Sequence, residues 1–189
     1  MTLTEDIQAA VECMRRGGVI LYPTDTVWGL GCDARNPEAI ARIYRIKERY
    51  ESKALISLVA DAEMLALHAG TVPAAVTALT EETGRPVTVV YPHAEGVAAE
   101  LLAEDGSIGI RLTREEYSSG LCTLLGAPVV STSANVSGRP SPAIFSEIEP
   151  VIVAAADYVA TYRRDDNRRS APSMVVKLEA DGTLKTLRP

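Results

Sequence analysis

Short β-branched apolar runs recur along this chain between stretches with helical spacing, and that alternation constrains the fold more than any other feature. Val19-Ile20-Leu21-Tyr22 is too short and too uniformly apolar to be anything but a strand. Residues 55–59, 87–91, 108–112, 129–132, 158–162, 174–178 and 183–187 read the same way. Helices are expected between them. Thr4 can cap a first one, with Glu5 and Asp6 in its positive first turn and Gly17 ending it. Asn36-Pro37-Glu38 opens a second, followed by Ile40, Ile43 and Tyr44 at helical intervals. Residues 62–69, 73–82, 97–102, 115–125 and 144–155 complete the set. No repeat, linker or composition break interrupts the pattern. The expectation is one α/β (or interleaved α+β) domain over residues 1–189, a twisted mixed sheet with flanking helices.

Charge narrows the function classes. The 189 residues carry a formal net charge of -6, which argues against a protein coated in nucleic acid. The basic residues are 15 Arg and only 4 Lys, and nine of them fall in two windows. One holds Arg42, Arg45, Lys47, Arg49 and Lys53; the other holds Arg163, Arg164, Arg168 and Arg169 and reads as a solvated loop. Arginine suits bidentate recognition of phosphate or carboxylate, so a local anion site stays open. No apolar run approaches the roughly 20 residues of a membrane span. The start, Met-Thr-Leu-Thr-Glu-Asp, has no basic or apolar leader pattern, and a cytoplasmic protein is expected. Three scattered cysteines and two isolated histidines support neither a disulfide framework nor a metal centre, so no residue is assigned to a metal.

Four polar stretches lie beside strand ends, where open α/β sheets tend to bind ligands. They are Pro23-Thr24-Asp25-Thr26, Lys47-Glu48-Arg49 with Lys53, Ser131-Thr132-Ser133-Ala134-Asn135 with Ser137-Gly138, and Pro172-Ser173. Residues two apart share a direction only on extended backbone. Lys47 and Arg49 therefore converge only if the helix ends near Ile46, whereas Ser131, Ser133 and Asn135 would align along a strand end. Arg111 interrupts an apolar strand, and burying a guanidinium costs several kcal/mol unless an anion meets it. That anion is either a ligand or one of the chain's own carboxylates. Gly29-Leu30-Gly31-Cys32-Asp33-Ala34 matches G-x-G-x-x-A, but it sits too far beyond the first strand for a dinucleotide turn. With no Gly-Lys dipeptide there is no Walker A loop, and with no G-x-S-x-G a serine hydrolase has no support.

In order, these stretches resemble the YrdC-type L-threonylcarbamoyladenylate synthases. The likeness runs from residues 17–31, with their Pro-Thr-Asp-Thr-Val core, through Ile46-Lys47-Glu48-Arg49 and Gly109-Ile110-Arg111. It continues in Ser131-Thr132-Ser133-Ala134-Asn135-Val136-Ser137-Gly138, and the likeness ends with Leu187-Arg188. The resemblance implies a sheet around a concave, basic groove. It also implies a reaction that joins L-threonine, bicarbonate or CO2, and ATP, with Mg2+, giving threonylcarbamoyl-AMP and pyrophosphate for threonylcarbamoyladenosine in tRNA. Lys47, Arg49, Ser133 and Asn135 would then hold the triphosphate and metal. Thr26, Arg111 and Ser131 would hold threonine, while Lys53, Ser107, Ser141, Ser173 and Arg188 would hold the nucleotide. The implied partners are downstream tRNA threonylcarbamoyl-transferase proteins, with direct contact to tRNA or double-stranded RNA open.

The sequence departs from the family pattern in places. Glu48 stands where a glycine is usual and Tyr50 where a proline is, Ala54 replaces a proline, and Met174 replaces a threonine whose hydroxyl could face the substrate. Longer relatives append a second domain, so closure of the site here is expected from loops or a partner. Two other readings are an RNA-binding or ribosome-associated module of the same fold, and a paralogue with altered carbamate chemistry.

Overall fold

The computed structural model describes residues 1–48 and 55–189. The first helix, α1 (Leu3–Arg15), is capped by Thr2 rather than Thr4. The Thr2 hydroxyl accepts the Glu5 N–H at 3.3 Å and the Glu5 carboxylate accepts the Thr2 N–H at 2.8 Å. The glutamate three residues on selects Thr2, because only that spacing satisfies both open donors. Strands β1 (Ile20–Tyr22) and β2 (Gly29–Gly31) precede α2 (Pro37–Ile46), β3 (Ile56–Val59), α3 (Ala62–Ala69) and α4 (Ala74–Glu82). Then come β4 (Val87–Tyr91), β5 (Ile108–Leu112), α5 (Glu116–Leu125), β6 (Val129–Ser133), α6 (Pro150–Ala155), β7 (Tyr158–Val159), β8 (Met174–Leu178) and β9 (Leu184–Arg188).

These nine strands form one mixed sheet in the order β7-β1-β2-β6-β3-β5-β4-β8-β9. The pairs β1–β7, β3–β5 and β4–β8 are parallel and the rest antiparallel. The mixed sheet with flanking helices is the expected class. Helix α5 packs on β3 and α1 packs on α5, and Ile110, Val89 and Val130 are buried in the sheet. Among the described residues no helix is long and apolar enough to cross a membrane.

Four further expectations, all about elements, change. The strand at Gly29–Gly31 was not foreseen, because its glycines look like a phosphate fingerprint. They serve packing instead: a Cβ on Gly31 would sit 2.5 Å from the Val130 carbonyl oxygen and 2.6 Å from the Tyr22 ring. The strand expected at 158–162 stops at Val159, because the N–H groups of Thr161 and Tyr162 go to the Asp6 carboxylate rather than to a neighbouring strand. Residues 97–102 make only a 3-10 turn at Ala99–Leu101. Residues 144–155 divide at Pro150, which holds Glu149 extended, into a 3-10 turn at Phe145–Glu147 and the short α6.

The second arginine window is also less solvated than expected. Arg164 donates to the Val159 and Ala160 carbonyls and lies 5.2 Å over the Phe145 ring. Arg168 pairs with Asp166 and Arg169 with Glu147, although both stay exposed at their tips.

Candidate active site

One face of the sheet opens into a cleft of about 380 Å³. Neighbouring strands contribute alternate residues to it, Thr88 and Val90 from β4, Gly109 and Arg111 from β5, Ser131 and Ser133 from β6, joined by Ile108 and Thr132. That period of two is what a single sheet face requires. Among the described lining residues nine carry hydroxyls, two are arginines (Arg111 and Arg188) and none is a carboxylate. Such a wall suits an anionic, oxygen-rich ligand. Among the described lining residues there is no histidine, cysteine or carboxylate, and hydroxyls and guanidinium groups act by positioning and charge neutralisation.

The turn after β1 is built by Thr24. Its hydroxyl accepts the Thr26 N–H at 3.0 Å, donates to the Val27 carbonyl at 2.8 Å and lies 3.1 Å from the Thr26 hydroxyl. These bonds replace ladder pairing and bring Thr26 into the cleft wall. Asp25 points elsewhere, with Oδ1 2.8 Å from Arg111 Nη2 in a largely buried ion pair. The two fates considered for Arg111 thus coexist: a partner carboxylate holds it, and it still lines the cleft. Its Nε is buried with no hydrogen-bond partner among the described residues, so the guanidinium retains capacity for one more acceptor. Burial pushes the Asp25 carboxyl above its ordinary value, and the attraction of Arg111, a backbone hydrogen bond and, last, the charge of Arg163 offset this only in part.

Lys47 is the C-cap of α2, so the helix ends where convergence with the serine strand requires. Yet Lys47 does not line the cleft. It is buried, and its ammonium donates to the carbonyls of Ser133 and Asn135, the latter at 2.8 Å. The Ser137 N–H returns to the Lys47 carbonyl at 2.9 Å. The Asn135 amide donates to the Val136 and Arg139 carbonyls at 3.0 and 2.7 Å. Lys47 and Asn135 therefore frame the loop after β6, while Ser133 reaches the cleft.

At the far end, Arg188 donates to the Ser173 carbonyl from Nε at 3.1 Å and from Nη2 at 2.9 Å. The Ser173 and Thr88 hydroxyls lie 2.9 Å apart. Of the twelve residues proposed from sequence, eight share the lining: Thr26, Ser107, Arg111, Ser131, Ser133, Ser141, Ser173 and Arg188. Arg49 and Lys53, with the departures at Tyr50 and Ala54, lie outside the described residues. Thr24, in a polar stretch that the sequence singles out but without a role of its own there, and Thr88, which the sequence reading does not name, also line the cleft. Thr88 had the same signal as Arg111, a polar residue inside an apolar strand.

A model of the family Sua5/YciO/YrdC, described as telomere recombination, matches residues 12–189. This chain belongs to that family. It is 33% identical over 162 residues to a threonylcarbamoyl-AMP synthase of Xanthomonas campestris pv. campestris, covering 84% of this chain and 87% of that protein. The structure of P. abyssi Sua5 complexed with L-threonine superposes with a TM-score of 0.82 at 28% identity, over 94% of this chain but only 52% of that one. This chain thus spans about half the length of that Sua5. E. coli YciO shares the fold, with a TM-score of 0.79 at 24% identity over 98% of this chain and 91% of its own.

Within the Sua5/YciO/YrdC frame, two departures acquire a physical meaning. Glu48, in place of the family's glycine, has φ 49, in the left-handed region that glycine enters without cost. Glu48→Gly should therefore raise stability by about 1 kcal/mol, read as a higher thermal midpoint; an unchanged or lower midpoint would show that the Glu48 side chain makes up the difference. Met174 is less consequential than its chemistry suggested. Ser173 and Val175 line the cleft and Met174 does not, so strand alternation turns it away into partial burial against the core.

Proposed function

We propose that this chain is an L-threonylcarbamoyladenylate synthase. It would convert L-threonine, bicarbonate or CO2, and ATP into threonylcarbamoyl-AMP and pyrophosphate, for threonylcarbamoyladenosine in tRNA. The observation that carries the reading is the cleft wall, which among the described residues has nine hydroxyls, two arginines and no carboxylate, in a chain whose relatives bear that name. Arg111 would take the threonine carboxylate, with Thr26 and Ser131 beside it. Ser107, Ser141, Ser173 and Arg188 would hold the nucleotide, and Ser133 would face the phosphates on a loop framed by Lys47 and Asn135. Arg49 and Lys53 are proposed to complete the phosphate grip.

A carbamate oxygen is already nucleophilic, so the chain need supply no base for the transfer itself. The oxygen forms a bond to the α-phosphorus, and the bond from that phosphorus to the bridging oxygen breaks. Its electron pair leaves with pyrophosphate. The described lining offers a divalent ion hydroxyls only, which fits Mg2+ held mainly by substrate phosphates, with Ser133 the nearest side-chain oxygen donor proposed. When bound, the ion would neutralise phosphate charge. The product would pass in the cytoplasm to tRNA threonylcarbamoyl-transferase proteins.

The test is to incubate the purified protein with Mg-ATP, bicarbonate and each amino acid, and to follow pyrophosphate. Release confined to threonine and dependent on bicarbonate is expected. Equal release with several amino acids would point to altered carbamate chemistry. No release, together with steeply salt-dependent RNA binding, would favour the RNA-binding module.

A further inference from the structure

Arg163 occupies a position that its backbone does not favour. Its φ is 59, in the left-handed region, which costs a non-glycine residue about 1 kcal/mol or more. What the side chain does there offsets that cost. The guanidinium is 20% exposed and faces three elements at once. Nη1 donates to the Thr24 carbonyl at 3.1 Å and stands 3.7 Å from Glu115 Oε1, while Nε donates to Asp166 Oδ2 at 2.8 Å. Glu115 is itself fixed, because its carboxylate accepts the Ser118 N–H at 2.8 Å as the N-cap of α5. Arg163 therefore ties the turn that carries Thr26 to the start of a packed helix.

Asp25 follows Thr24 directly in this turn. Arg111 holds its carboxylate at 2.8 Å, and Arg163 holds the carbonyl of the residue before it. If the Thr24 carbonyl were released, the turn could shift, and Asp25 would move relative to the guanidinium that it orients. We propose that Arg163 is a positioning residue for amino-acid binding: it anchors the Thr24–Thr26 turn and, through Asp25, sets the direction in which Arg111 meets the substrate carboxylate. This rests on the synthase reading, in which Arg111 takes that carboxylate. The nucleotide end of the cleft, at Ser173 and Arg188, is anchored separately.

The test compares Arg163→Gly, Arg163→Ala and Arg163→Lys in the threonine-dependent pyrophosphate assay. Glycine relieves the left-handed backbone while deleting the guanidinium, which separates strain from positioning. Arg163→Gly and Arg163→Ala are expected to raise the KM for threonine about 10-fold or more. The KM for ATP and kcat should stay within about threefold, since the nucleotide contacts are untouched. Lysine, which can reach one of the acceptors, should recover part of the loss. Arg163→Gly should melt no lower than Arg163→Ala yet be equally defective towards threonine. A threonine KM at the parent value in Arg163→Gly, or equal rises for threonine and ATP, would overturn the proposal while leaving the synthase reading intact. Absence of threonine-dependent turnover in the parent would overturn both.

Discussion

Lys47→Met should lose stability and turnover together: about 3 kcal/mol in denaturant unfolding, with pyrophosphate release falling at least about 100-fold. The reason lies in where the ammonium goes. It is buried and donates to two backbone carbonyls of the Ser133–Asn135 segment. Removing it leaves those carbonyls desolvated without a cation, and each such loss costs roughly 1–3 kcal/mol. The loop that presents Ser133 would then relax. A lysine that only touched ATP would behave differently: its removal would abolish turnover and leave the unfolding midpoint where it was. A Lys47→Met variant as stable as its parent but inactive would therefore return Lys47 to direct phosphate contact. Arginine is not expected to rescue, because a planar fork does not fit a closed site shaped for a point charge.

This dual role explains which parts of the site could be read from residue order. Strand alternation carried most of it. Ser131 and Ser133, or Gly109 and Arg111, must share a face once their segments are extended, so the cleft wall follows from local spacing. Lys47 converged with the serines as the helix end required, but its burial depends on the Ser133–Ser137 segment folding over it, a contact between residues some 86 positions apart. Arg163 was harder still. Nothing near it in the chain distinguishes it from Arg168 or Arg169, and its function arises from Thr24 and Glu115, which approach only in three dimensions.

The fold shows the same division. Strands with β-branched runs were legible because burial on both faces demands them. The strand at Gly29–Gly31 was not, since its glycines answer to the Tyr22 ring and the Val130 carbonyl rather than to any local preference. The family resemblance supplied roles that no pattern could, including the assignment of Arg111 to a substrate carboxylate. Geometry then added the Asp25 partner.

Asp6→Asn is expected to cost about 3 kcal/mol at neutral pH, from a residue remote from any ligand. Asp6 lies in the first turn of α1 and is 1% exposed. Its carboxylate accepts hydrogen bonds from the Tyr117 hydroxyl at 3.1 Å, the Tyr158 hydroxyl at 2.5 Å, the Thr161 N–H and hydroxyl at 2.7 Å, and the Tyr162 N–H at 2.7 Å. Every partner is a donor, so an amide would turn two hydrogens of its own into a ring of donors. Burial alone would raise the Asp6 pKa, but the bonds from Tyr158, Thr161 and Tyr162 together hold it below its ordinary 3.8. A depressed carboxylate contributes stability that is present above the unfolded pKa and is lost as pH falls through the folded one. The parent should therefore lose stability steeply below about pH 4, while Asp6→Asn changes less there, and the gap between them narrows with acid. Urea midpoints measured from pH 7 down to pH 3 test this. A gap that stayed constant across that range would mean that Asp6 acts through shape rather than charge. Because α1 packs on α5, whose N-cap Glu115 faces Arg163, the same variant should also soften the far end of the threonine-side anchor and raise the threonine KM modestly, about twofold, without touching the cleft.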